Sequence, residues 1–437
     1  MTQSSPDKPP ARPISAFTTR PAQFERAEAG EEARQTARDA FEAMARTGPV
    51  TPRRLAERLE SQGLEPDDPR LKGTWAALGR APDTPFDAST FCDCLPRDEC
   101  HLVSRAVAGA LVTGEFGPFR QRVYDLFHYA SQETGGQVAA YIPELAKADP
   151  DAFALGGCTI DGQRLSIGLN EGDETREFCV QSVMKPINYA IALELLGEEV
   201  VHTYVGREPS GQSFNEITLD RLRRPHNPMI NAGAIMTSAL IRPTHDMNSR
   251  FDFVQRVWRS ASGGEASSFD RATFESESHH ADRNYALAYF MREHGGFPEE
   301  ADLFTTMELY LRCCSIQTDV RRLAAVAATL ANGGVNPVTE RQVFQRETVK
   351  DVLSLMLSCG MYDFSGEYAF TVGLPAKSGV SGTMMIVVPG VVGLALYSPR
   401  LGAQGNPERG VEFSRQLVRS FPWHVYAPIV SDPNIGQ

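Results

Sequence analysis

Phe178-Cys179-Val180-Gln181-Ser182-Val183-Met184-Lys185-Pro186 is the stretch from which the fold of this chain can be read. It joins an extended, apolar-alternating segment to the helical Ile187-Asn188-Tyr189-Ala190-Ile191-Ala192-Leu193-Glu194-Leu195-Leu196. Pro186 falls about one turn in, where a missing N–H costs least. Residues i and i+3 share a helix face, so Ser182 and Lys185 can touch. Far downstream, Leu374-Pro375-Ala376-Lys377-Ser378-Gly379-Val380-Ser381-Gly382 precedes the hydrophobic strand Met384-Met385-Ile386-Val387-Val388. S-x-x-K followed by K-S-G is the order used in acyl transfer when a serine is the nucleophile and a lysine replaces histidine. A lysine amine in a partly desolvated site beside another cation loses affinity for its proton, so it can accept one from a hydroxyl. A serine at a helix N-terminus also has backbone N–H groups and the helix dipole available for an oxyanion.

S-x-x-K alone is weak. Ser5-Pro6-Asp7-Lys8 matches it within a Pro-rich tail, and a helix N-cap with a solvated lysine one turn on gives the same spacing. The strand before Ser182, the helix after it and the K-S-G block ahead of a strand favour the chemical reading.

At 437 residues the chain is long enough for two or three domains and a large core. The net charge of −12, without a Lys/Arg-rich patch, argues against nucleic-acid and anionic-membrane binding. Apolar runs such as Val320 to Leu330 are too short to span a bilayer. Met1 to Arg20 is Ser/Pro/Arg-rich without a hydrophobic core, so no secretory signal is visible. The eight cysteines show no zinc spacing, and neither a metal nor a cofactor is expected. Free, mostly buried thiols in a reducing cytoplasm are the expected state. Cys92-Asp93-Cys94 is too short a loop for an unstrained bridge.

Four regions are expected. Residues 1–30 form a disordered tail, 31–116 an all-α module, 117–425 a catalytic domain and 426–437 a second tail. In the module, Thr51 caps a helix whose first residue is Pro52. The helices pair as in an EF-hand, but no acidic D-x-D-x-D-G-type loop is present, so calcium binding is not supported. Asp161-Gly162 between the apolar runs Phe153 to Ile160 and Arg164 to Leu169 is a hairpin signal. Two further strands, Met384 to Pro389 and Val391 to Tyr397, precede a closing helix, Glu408 to Phe421. With a largely helical stretch between these pairs, the expected class is α/β (α+β). One antiparallel sheet is made of early and late strands, flanked by helices, with an inserted helical lobe.

From roughly Gly135 to Phe421 the chain resembles the serine-dependent glutaminases, which share the fold of serine β-lactamases and penicillin-binding proteins. The resemblance is carried by Tyr141-Ile142-Pro143-Glu144-Leu145-Ala146 and Gln181-Ser182-Val183-Met184-Lys185-Pro186. It continues through Tyr204-Val205-Gly206-Arg207-Glu208-Pro209-Ser210-Gly211, Phe214-Asn215 and His226-Asn227-Pro228-Met229-Ile230-Asn231-Ala232-Gly233-Ala234-Ile235. Ser276-Glu277, Asp282-Arg283-Asn284, Gly360-Met361-Tyr362-Asp363-Phe364-Ser365-Gly366 and the Lys377 block complete it. The helical module, through Asp68-Pro69-Arg70-Leu71-Lys72, is similar to the one in animal kidney-type glutaminases, without the ankyrin repeats that end those enzymes.

The resemblance implies hydrolysis of L-glutamine to glutamate and ammonia. Ser182 would attack the amide, and Lys185 and Tyr362 would move the proton. The N–H groups of Ser182 and Val380 would hold the oxyanion. Tyr141, Asn231, Glu277, Asn284 and Tyr310 would hold the amino-acid end, with Glu277 meeting the ammonium and the neutral donors meeting the carboxylate. Lys377 is placed behind the site as a salt-bridging residue. Self-association as a dimer or tetramer is implied, and inorganic phosphate is a candidate activator. The loop Glu216 to Pro225 differs from the animal sequences and puts that activation in question. The stretch Gly168 to Thr175 is longer than the family's usual turn and is expected near the active-site mouth.

Each of these residues has a plainer reading. Tyr141 could be a rim aromatic, Glu277 a solvated charge in a polar loop Ser276 to Asp282, and Asn231 a helix cap. Asn284 could be a turn residue, Tyr310 core and Tyr362 a loop anchor. Two other functions stay open: another acyl-serine hydrolase of the same fold, for which Ser213-Phe214-Asn215 supplies a nominal S-x-N, and a catalytically silent assembly protein.

Overall fold

The structure is a computed structural model that describes residues 29–79, 83–96, 98–211, 213 and 215–427. Most of both expected tails, and Phe214 at the centre of the nominal S-x-N, lie outside the described residues; the flanking Ser213 hydroxyl donates to the Asn215 Oδ1 at 3.0 Å. The eight strands among the described residues are, in chain order, β1 (Ala154–Thr159), β2 (Arg164–Gly168), β3 (Phe178–Cys179), β4 (Ser268–Phe269), β5 (Ile316–Thr318), β6 (Ala376–Gly379), β7 (Thr383–Val388) and β8 (Val392–Tyr397).

The main sheet is antiparallel throughout, in the order β2-β1-β8-β7-β6. Early and late strands meet at the β1–β8 ladder, where Ala154 faces Tyr397 and Thr159 faces Val392. The β1–β2 hairpin turns at Asp161-Gly162, as its sequence predicts. β7 and β8 are apolar on both faces because the sheet is covered on both. Met385, Val387, Ala395 and Tyr397 enter the core shared with the helical lobe. Met384, Ile386, Val388, Leu394 and Leu396 enter a second core under the Phe116–Ala130 and Glu408–Ser420 helices. Alternate side chains of a strand point to opposite faces, so a run buried on both sides loses its polar phase. Each such Leu, Ile or Val contributes about 1.5–3 kcal/mol of burial.

The Val320–Ala331 helix lies across β1, β7 and β8. Its approach requires Gly156, where a Cβ would stand 2.2 Å from the Val320 carbonyl oxygen. The polar stretch 168–175 is fastened by Asp173, whose buried carboxylate accepts from the backbone N–H groups of Phe153 and Asn170 and from Arg176.

The middle of the chain is helical as expected, yet it holds three very short strands. β3, β5 and β4 form a second antiparallel sheet in that order. This sheet has a positional role, because β3 leads directly into Ser182.

The N-terminal helices, Ala29–Ala45, Pro52–Ser61, Lys72–Leu78, Ala88–Cys94 and Cys100–Ala108, close around their own apolar core. Thr51 caps its helix by accepting the Arg54 N–H at 3.3 Å. The hairpin tip seats these helices. Asp161 accepts from the Arg105 guanidinium at 2.9 Å and the Val112 N–H at 2.5 Å, and its carbonyl accepts from Arg70 at 2.9 Å. Gln163 donates to the carbonyls of Gln62 and Thr113, both at 3.0 Å. All eight cysteines are unpaired, Cys92 and Cys94 included. Among the described residues no cluster of His, Cys, Asp or Glu is arranged for a metal, and no helix is long and apolar enough to cross a membrane.

Candidate active site

β3 delivers the chain into a 3-10 turn, Gln181–Val183, which runs straight into the Met184–Leu196 helix. Gln181 sits at φ +45°, in the left-handed region that side-chain-bearing residues rarely occupy. That twist ends the strand and sets Ser182 ahead of the helix. Two contacts fix the turn: the Val180 N–H donates to the Ile316 carbonyl at 2.8 Å, and the Ser381 hydroxyl donates to the Cys179 carbonyl at 2.7 Å. β6 closes on the same turn. A Cβ on Gly379 would lie 2.8 Å from the Val180 carbonyl and 3.4 Å from the Ser182 nitrogen, so only glycine allows the approach. Val380, the next residue, is thereby carried beside the Ser182 backbone.

Lys185 is fully buried and donates to the Asn231 Oδ1 at 2.7 Å. Burial lowers its pKa from 10.5 to about 8. The cause differs in part from the sequence reading. No neighbouring cation is needed, because desolvation dominates. Lys377 is also fully buried, and its amine is held well below the usual lysine range by burial and then by Lys185. Among the described residues it has no carboxylate within salt-bridge distance. Its Nζ donates to the Ser378 carbonyl at 2.7 Å and stands 4.1 Å from the centroid of the Tyr362 ring.

Tyr362 is buried at φ +54°. Its hydroxyl donates to the Ser378 carbonyl at 3.0 Å. Burial raises its pKa above that of a free phenol, and the Ser182 side chain lies close enough to pull it down in part, so the hydroxyl keeps its proton at neutral pH.

The remaining predicted residues form the opposite wall. Glu277 is buried on the Arg271–His279 helix, not in a loop; Asp270 caps that helix by accepting the N–H groups of Ala272 and Thr273. The Glu277 Oε1 accepts from the Tyr141 hydroxyl at 2.5 Å and the Gln181 amide at 3.0 Å. Burial raises the Glu277 carboxyl above its usual range, and these two donors pull it back. It is a buried carboxylate facing the site, and among the described residues no Lys or Arg forms a salt bridge with it, which suits an incoming ammonium. The Tyr141 ring is 48% exposed, so it forms a rim whose polar tip points inward. Asn231 begins the Asn231–Leu240 helix, and its amide nitrogen donates to the Asn284 Oδ1 at 3.0 Å. Tyr310 is buried on the Leu303–Cys314 helix, and burial raises its hydroxyl well above the usual phenol range. A cavity of about 470 Å³ opens beside Tyr362, bounded by Ser210, Ser213, Asn227, Ile230 and Ser358.

Residues between positions 141 and 380 therefore converge on one site. Gln181 was missed by the sequence reading, although an amide next to Ser182 in an apolar run was a usable signal.

Residues 136–426 match the family model described as Glutaminase. Putative glutaminase 2 of Caenorhabditis elegans is 49% identical over 335 residues, 76% of this chain and 55% of that protein. The mouse protein named Glutaminase liver isoform, mitochondrial, is 42% identical over 373 residues, 84% of this chain and 61% of that one. This chain thus spans little more than half the length of these relatives. The solved structure titled Probable glutaminase ybaS superposes with a TM-score of 0.66 at 33% identity, covering 70% of this chain and 97% of that one.

Proposed function

The chain belongs to the glutaminase family, and on that premise we propose that it hydrolyses L-glutamine to L-glutamate and ammonia through a glutamyl ester on Ser182. The observation that carries this reading is the fully buried Lys185 amine, held by the Asn231 Oδ1 at 2.7 Å one turn after Ser182 and lowered by burial to about 8. Lys185 in its neutral form takes the Ser182 proton as the oxygen attacks the side-chain amide carbon. The N–H groups of Ser182 and Val380 receive the oxyanion. Tyr362, still protonated, passes its proton to the leaving nitrogen, and the resulting phenolate takes back from Lys185 the proton that Lys185 received from Ser182. Ammonia departs, and water attacks the ester by the same route in reverse.

Glu277 holds the substrate ammonium. Tyr141, Asn231, Asn284 and Tyr310 hold its carboxylate and set the chain length at which the amide reaches Ser182. Neutral donors make this grip less salt-sensitive than an arginine clamp.

Further elements of the proposal concern the whole protein. The division near residue 117 and the EF-hand-like pairing of the N-terminal helices describe a module with no chemistry of its own, serving assembly. Self-association as a dimer or tetramer and a cytoplasmic location go with it, the latter supported by eight unpaired cysteines. Ammonia and glutamate release from L-glutamine, with and without inorganic phosphate, tests the reading against Ser182→Ala. Activity in wild type and none in the variant supports it, and the phosphate arm decides activation. A folded wild type that is silent on glutamine but opens nitrocefin would replace it with another acyl-serine hydrolase.

A further inference from the structure

Asn406 is buried, 4% exposed, in the loop between β8 and the Glu408–Ser420 helix. Both ends of its amide are engaged. Its Oδ1 accepts from the Ser378 hydroxyl at 2.5 Å, and its Nδ2 donates to the Met361 carbonyl at 3.2 Å. These partners lie on separate parts of the site. Ser378 sits in β6, and its carbonyl is the common acceptor for the Tyr362 hydroxyl at 3.0 Å and the Lys377 amine at 2.7 Å. Met361 is the residue before Tyr362, whose φ of +54° a tyrosine does not hold unaided. The backbone around Asn406 is itself anchored, since its carbonyl accepts from the Gly402 N–H at 2.9 Å.

We propose that Asn406 is a positioning residue for the reaction. One buried amide fixes the Ser378 carbonyl that aims the Tyr362 hydroxyl, and also the backbone turn that presents Tyr362. The inference rests on the role given to Tyr362 above. Asn406 touches neither the substrate nor Ser182. Its loss lets the phenol swing away from the serine while the amino-acid pocket around Glu277 stays intact, because those residues sit on other elements. The signature is a fall in kcat at unchanged KM.

The test is steady-state glutamine hydrolysis by wild type, Asn406→Ala, Ser378→Ala and the double variant, with a thermal melt to establish folding. Folded Asn406→Ala is expected to lose at least about tenfold in kcat with KM within about threefold of wild type. The double variant is expected to lose no more than Asn406→Ala alone, because both changes cut one clamp. A folded Asn406→Ala with kcat within threefold of wild type overturns the inference, as does a KM that rises as much as kcat falls. If Asn406→Ala does not fold, Ser378→Ala decides: a smaller kcat loss at constant KM supports the clamp, and unchanged kcat removes it. A silent wild type sinks the hydrolysis reading itself, which is distinct from an active wild type with a normal Asn406→Ala.

Discussion

Asn231→Asp puts a carboxylate where an amide oxygen now accepts from the Lys185 amine at 2.7 Å. In wild type, burial lowers the amine from 10.5 to about 8, which destabilises the charged form by about 3 kcal/mol relative to a free amine. Only that neutral form can take the Ser182 proton. The folded value lies below the free value, so activity is present above about 8 and lost as pH falls through it. Turnover should therefore rise about tenfold between pH 7 and pH 9. Tyr362, raised by burial, stays protonated across this window and adds no second limb. An introduced carboxylate at that distance attracts the ammonium by about 6 kcal/mol before its own desolvation is charged against it, at an effective dielectric of about 20. The net shift for such neighbours is about 1–3 units upward. Asn231→Asp should then move the rising limb alkaline by that amount and lower kcat at pH 8 by about 5- to 500-fold, with recovery at higher pH. The assay is ammonia release at saturating glutamine from pH 6 to 10 at constant ionic strength. Lys377→Met is the control; since burial and not Lys377 lowers Lys185, the midpoint should stay in place. An unmoved midpoint in Asn231→Asp, or a flat wild-type profile, would refute the assignment of Lys185 as base.

Tyr362→Phe should cut kcat by about 10²- to 10⁴-fold while leaving the midpoint of the pH profile where it is, as rates across the same pH range will show. Glu277→Gln removes the anion proposed to meet the substrate ammonium; isothermal or kinetic titration should show binding weakened about 10- to 150-fold, from the 1.5–3 kcal/mol of a hydrogen bond to a charged group. Asp161→Ala removes the carboxylate partner of Arg105 and the acceptor of the Val112 N–H, and urea unfolding should register a loss of about 1–3 kcal/mol with KM unaltered.

The strands that could be read in the sequence were those with a clear local signal: β7 and β8 as apolar runs, and β1 and β2 through Asp161-Gly162. β6 was not, because Ala376-Lys377-Ser378-Gly379 has no apolar alternation; its two polar side chains are buried, Lys377 turning back to the Ser378 carbonyl and Ser378 donating to Asn406 in a later loop. β3, β4 and β5 run for two or three residues each, too short for any period to show. Glu277 looked like a loop charge because Glu-Ser-Glu-Ser-His carries no apolar stripe, yet Asp270 starts a helix there and turns Glu277 inward. The serine and lysine were legible because they share one turn. The Glu277–Tyr141 and Lys185–Asn231 pairs span 136 and 46 positions, a separation that only the fold closes, and the double hold of Asn406 left no trace beyond Gly405-Asn406-Pro407.

The central claim is that glutamine is cleaved through an ester on Ser182. Acid-quenching wild type during turnover with L-glutamine and mapping the peptides by mass spectrometry tests it directly. The account predicts one glutamyl group, glutamine less ammonia, on the Ser182 peptide, absent from Ser182→Ala. Steady glutamate production with no such adduct, or undiminished turnover by Ser182→Ala, would contradict it.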